Sequence, residues 1–106
     1  MPKYLVQASY TTEGTKGLLK DGGTKRRAAL ETLMKELGGK VEAFYFAFGK
    51  TDVFVIIDGP DNITVAAVSL AINASGAVSS RTTPLLTPEE MDQATKKTVS
   101  YRPPGH

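Results

Sequence analysis

The chain has no cysteine and no tryptophan, and its one histidine, His106, is the last of 106 residues. Without cysteine there is no disulfide framework, no thiolate zinc site, no iron–sulfur cluster on its usual ligands and no cysteine nucleophile. One histidine excludes multi-histidine metal sites and argues against a histidine triad. No metal and no cofactor is therefore expected. Charge is also scarce in one sense: 13 basic and 11 acidic residues leave a formal +2, with the signs interspersed, so neither nucleic acid nor an anionic membrane is an expected partner. Long apolar runs are missing too. The longest, such as Val53 to Ile57, are strand-sized, well short of the ~20 residues that cross a bilayer. Met1-Pro2-Lys3-Tyr4 starts no signal-peptide pattern, so the expected location is cytoplasmic, and the sequons at Asn62 and Asn73 carry no meaning there.

What is present is a chain with 41% hydrophobic residues, enough for one compact core. Lys3 to Tyr10 is rich in β-branched and aromatic residues and runs into the polar turn Thr11-Thr12-Glu13-Gly14, which predicts a first strand. Thr15 to Gly23 scatters Leu18-Leu19 among glycines and lysines, so a single helical turn or an ordered loop is expected. From Thr24, an N-cap candidate, Leu30, Leu33, Met34 and Leu37 repeat at the spacing of one helical face until Gly38-Gly39 stops the helix. Lys40 to Phe48 and Val53 to Asp58, joined by Gly49-Lys50-Thr51-Asp52, predict an antiparallel hairpin. Asp61 is placed to cap a helix over Ile63 to Asn73, whose Val65, Val68 and Ile72 share a face and which Gly76 ends. Ala77 to Leu86 reads as a fourth strand with Pro84 at an end or edge. Thr87-Pro88-Glu89-Glu90 has capping-box spacing for a short helix to about Lys97. The fold class is α+β: a ferredoxin-like β-α-β-β-α-β antiparallel sheet with a short C-terminal helix. Residues 1–97 form one domain and 98–106 a tail.

A sheet covered by helices on one side should alternate apolar and polar residues. Here it does not. Phe44, Phe46 and Phe48 are expected on one face of the second strand and Val41, Ala43, Tyr45 and Ala47 on the other. In the third strand Val53, Val55 and Ile57 oppose Phe54 and Ile56. Both faces of the hairpin are apolar, a surface that soluble monomers rarely leave wet. The expected cover is a second copy, sheet against sheet in a dimeric α+β barrel. The alternative cover is the chain's own segment from Pro88 to His106.

The stretch Phe48-Gly49-Lys50-Thr51-Asp52-Val53-Phe54-Val55-Ile56, with Leu37-Gly38-Gly39-Lys40-Val41 before it and Pro60-Asp61-Asn62 after it, resembles the GYD domain family. That family is named for a Gly-x-Tyr-Asp turn ahead of its third strand. The resemblance runs from about Lys3 to Glu90 and takes in Thr12-x-Gly14, Arg26 or Arg27, and Gly76-x-Val78-x-x-Arg81-Thr82. Gly49 and Asp52 match the turn, but Thr51 stands where the family has tyrosine, so no role for that ring carries over. The resemblance implies a small protein of the dimeric α+β barrel type, forming dimers or larger rings.

Asp52 is the first candidate for chemistry, as a general acid or base at the mouth of a sheet cleft; an aspartate in such a turn also pins backbone N–H groups, which accounts for its position by itself. Arg81 on the fourth strand, with Arg26 and Arg27 at the first long helix, could hold an anionic ligand or serve interface ion pairs. Tyr10, Tyr45, Phe48 and Thr51, with Gln7 and Ser9, complete the candidates for a ligand pocket; packing explains the aromatics equally well. Gly14-x-x-Gly17 and Gly22-Gly23 lack the spacing of a phosphate-binding loop. The third strand is acidic at both ends, which disfavours RNA binding. Two functions follow: an oligomer whose sheet face is an assembly surface, with room for a small ligand, or a small cofactor-free isomerase, lyase or monooxygenase with Asp52 as acid or base and Arg81 holding an anion. A closed cavity of at least ~300 Å³ between sheet and helices or at the dimer seam, with Asp52 or Arg81 in its wall, would discriminate them, a filled core favouring the oligomer.

Overall fold

Three side-chain oxygens cap the three helices and set the layout of the chain. Thr11 accepts from Gly14 N–H at 3.2 Å, Asp61 from Thr64 N–H at 2.7 Å and Thr87 from Glu90 N–H at 3.1 Å, each satisfying a donor that the first helical turn cannot pair internally. The Glu90 carboxylate returns a bond from Thr87 N–H, completing the capping box. The computed structural model describes all 106 residues, as β1 (Lys3–Tyr10), α1 (Thr12–Glu36), β2 (Lys40–Phe46), β3 (Val53–Asp58), α2 (Asn62–Ala74), β4 (Val78–Leu85) and α3 (Pro88–Thr95). The four strands form one antiparallel sheet in the order β2-β3-β1-β4. This is the ferredoxin-like α+β arrangement.

Two expectations need correction. The first helix begins at Thr12, not Thr24, and the glycine-rich stretch belongs to it. Gly14 is buried where α1 meets Ala77; a Cβ there would collide with the Ala77 carbonyl. Helix cost from glycine, up to ~1 kcal/mol per residue, is thus offset by close approach. Gly22 (φ 79°, ψ 173°) interrupts the helix, a left-handed conformation open to glycine, so α1 is two rods joined at a kink. The second correction is in β2. Val41 pairs with Ile57 and Ala43 with Ile56, which leaves Glu42 as a bulge, and an extra residue reverses the alternation on either side of it. Val41 therefore joins Phe44 against the core while Ala43 and Tyr45 point to the other face. The strand also ends at Phe46, and Phe48 stands fully exposed in the turn.

The core is small. Tyr4, Ala8, Met34, Val53, Val55, Ile57 and Val65 are buried, with Val6, Leu30, Val41, Phe44 and Val78 packed around them. It lies between the sheet, the second rod of α1 and the start of α2. At one end of the sheet Lys3 Nζ reaches Asp58 Oδ1 at 2.8 Å and Glu42 Oε1 at 3.0 Å, with Lys40 Nζ 3.7 Å from Asp58 Oδ2. The hydrogen bond from Lys3 lowers the Asp58 carboxyl below its ordinary 3.8, and the same bond raises Lys3 above 10.5.

The other face of the sheet is uncovered. Every residue from Pro88 to His106 is exposed, and the radius of gyration is 16.9 Å against ~13 Å for a compact chain of about this length. The C-terminal segment thus extends away from the body and does not lie on the sheet. No helix is long and apolar enough to cross a membrane.

Candidate functional site

Both helices lie on one face of the sheet, and a cleft of about 640 Å³ separates them. Thr11 fixes one end of it. Besides capping α1, its N–H donates to Ala77 carbonyl at 3.0 Å and its hydroxyl to Gly76 carbonyl at 2.8 Å, so the start of α1 is tied to the turn before β4. The far wall is α2, whose Val68 and Ile72 face the cleft with Ala71. Leu33 of α1 and Leu37 at its C-cap, each 37% exposed, face it from the other side. The floor is Tyr10, Ala77 and Val78. Few polar groups interrupt this lining: Glu13, Asp21 and Arg26 from α1, Thr64 from α2 and Ser75 at its C-cap. A mostly apolar hollow of this size with a few polar groups is the usual form of a small-molecule site.

Tyr10 and Arg26 also line a narrow hollow of about 70 Å³ beneath the cleft, against Val6, Phe44 and Val55. They therefore meet where the two spaces adjoin. Arg26 has no carboxylate within 4.0 Å, whereas Arg27 lies 3.9 Å from Glu31 on the other side of the helix.

A second hollow, about 360 Å³, lies against Tyr10, Leu18, Gly23, Phe46 and Asp52. The first rod of α1 separates it from the larger cleft, since Tyr10 and Leu18 border both. Asp52 is engaged here. Its Oδ2 accepts from Tyr10 N–H at 2.8 Å, its own N–H donates to Ala8 carbonyl at 2.9 Å and its carbonyl accepts from Ala47 N–H at 2.7 Å. The turn-pinning geometry is thus present in full. Arg81 pairs in register with Gln7, on the open face, so the sheet lies between it and Asp52. The two do not share a site within one subunit.

Of the ligand candidates, the fold brings Tyr10 and Arg26 together and scatters the rest. Tyr45, 71% exposed, is on the open face; Phe48 and Thr51 are in the β2–β3 turn; Arg27 faces outward. Glu13, Asp21 and the apolar side of α2 are site residues that the sequence reading missed. The signal was Thr11 with Glu13 two residues on, a cap and an acid in a first turn, obscured by four glycines before Thr24. The amides of Asn62 and Asn73 are structural, accepting from Tyr4 hydroxyl at 2.5 Å and from Ser80 N–H at 2.7 Å. No group of three or more acidic or histidine side chains is placed to hold a metal ion.

No curated protein and no solved structure matches the chain. The GYD domain model matches residues 4–95, from the first strand through the last helix. With its α+β sheet, its Gly49-Lys50-Thr51-Asp52 turn and this match over nearly its whole length, the chain belongs to the GYD domain family.

Proposed function

We propose that this protein acts as a homo-oligomer whose copies pair through the open faces of their sheets, while the cleft between the helices of each subunit holds a small molecule. One observation carries the reading: an apolar stripe without a partner. In register across the sheet, Tyr45 with Phe54 and Ala43 with Ile56 and Leu5 form the apolar stripe, and Gln7, Arg81 and Thr83 continue the same two rows as its polar margin. Phe54 is 37% exposed at its centre, and the C-terminal segment leaves the face free. Covering ~400 Å² of such surface contributes about 10 kcal/mol before the cost of association. Sheet-to-sheet pairing about a two-fold axis buries the same stripe on both copies. Light scattering on the parent and on a Phe54→Glu/Ile56→Glu double variant tests it. The parent is expected to be a dimer or larger and the variant a folded monomer by circular dichroism. A parent that stays monomeric across micromolar concentrations overturns it.

A cofactor-free enzyme is the second reading: a 360 Å³ hollow has Asp52 and Tyr10 in its wall, but it is open to solvent and not the closed cavity that reading calls for. It ranks second because Asp52 is held by Tyr10 N–H and Arg81 is across the sheet.

A further inference from the structure

The cleft has one cation, two acids and a long apolar wall, and their placement restricts what can occupy it. We infer that the inter-helix cleft binds an amphipathic monocarboxylate, its head on Arg26 and Tyr10 and its apolar body along Leu33, Val68 and Ile72. The inference rests on the proposal that this cleft holds a small molecule and specifies the chemical class.

Arg26 carries the argument for the head. Arg26 lines both the cleft and the narrow hollow beside it, with its side chain open to solvent. No protein carboxylate lies within 4.0 Å of it, so its planar fork is free for the two parallel bonds that a carboxylate accepts. Tyr10, whose hydroxyl has no protein partner, borders the same two spaces and has that O–H to donate as a third bond. Arg27, its neighbour, has Glu31 nearby on the outer side, which marks Arg26 as the unpaired member of the pair.

The other charged residues of the lining, Glu13 and Asp21, are acidic, so Arg26 is its only cation and matches a single anionic charge. Both belong to the first rod of α1, before the kink at Gly22, and both line the cleft. Neither is within ion-pair distance of Arg26. A ligand with an anionic group at each end would lay its second charge along the wall of Leu33 and Val68, where no second cation meets it. An alcohol of the same length would fill the apolar wall and leave Arg26 unused. The volume, about 640 Å³, is within the range of small-molecule sites.

The test is isothermal titration of the full chain with decanoate, decanol and sebacate, with light scattering on the same samples. Decanoate is expected to bind at least ten times more tightly than sebacate. Arg26→Gln should weaken decanoate at least tenfold and leave decanol unchanged, and Arg26→Lys should recover only part of the loss because an ammonium lacks the fork. Amide shifts confined to the surroundings of Tyr10, Val68 and Ile72 should locate the ligand. Equal decanoate binding by the parent and Arg26→Gln overturns the carboxylate class while leaving a small-molecule cleft intact; binding of none of the three probes overturns both. The oligomeric state reports separately on the sheet-face assembly.

Discussion

Removing the Asp52 carboxylate should cost stability before it costs anything else. Asp52 Oδ2 accepts from Tyr10 N–H at 2.8 Å, at the end of β1, while the backbone of Asp52 bonds Ala8 and Ala47. The side chain thus fastens the β2–β3 turn to the strand that leads into α1. A hydrogen bond to a charged group contributes about 1.5–3 kcal/mol, and partial exposure of Asp52 reduces this to about 1–2 kcal/mol because water can reach the freed N–H. At roughly 4–8 °C per kcal/mol for a domain near this size, Asp52→Ala should lower Tm by about 5–15 °C. Asp52→Asn keeps a carbonyl acceptor and should lose about half as much or less. Thermal melts at one fixed protein concentration measure this, since self-association makes Tm depend on concentration. An alanine variant melting within about 2 °C of the parent would refute the turn-pinning role. If that variant also lost ligand binding or activity, the carboxylate would be a chemical group after all.

Two further predictions concern the core and the charged end of the sheet. Met34, fully buried under α1, should lose about 3 kcal/mol on conversion to alanine by urea denaturation, within the 2–5 kcal/mol range for buried methionine; a loss below about 1 kcal/mol would mean that α1 does not sit on the sheet as described. The Lys3–Asp58 pair predicts a pH profile. Asp58 titrates below its ordinary 3.8 in the folded state, so its contribution is complete above the unfolded pKa and is lost as pH falls through the folded one. Lys3 titrates above 10.5, so its contribution is complete below that value and is lost as pH rises through the raised folded one. Denaturation midpoints should therefore fall on both the acid and the strongly alkaline side, and Asp58→Asn should flatten both limbs. Superimposable profiles for parent and variant would exclude the pair as their source.

The sequence was most legible where local chemistry and tertiary packing agree. β1, β3 and the Thr87 capping box lie where their residues put them, since alternation and capping are decided within a few residues. It was least legible where a remote contact overrides a local preference. Gly14 and Gly17 weaken a helix by themselves, yet Gly14 is what lets α1 approach Ala77. The bulge at Glu42 is likewise invisible to a count by twos, because it depends on pairing with Ile57 and Ile56 in another strand. The cleft suffered from both effects. Arg26 and Tyr10 were among the ligand candidates on their chemistry, but Glu13 and Asp21 entered the wall only because the helix starts earlier than its glycines suggest.

Tyr10 borders the large cleft, the hollow beside Asp52 and the narrow space beneath Arg26. Three compartments with one party wall cannot be resized independently. Truncating the ring merges them, and a bulkier one takes volume from all three, so the chain has no single substitution at this position that alters one compartment alone. Any change in what the cleft admits must come from the helices, and the floor is the part held constant.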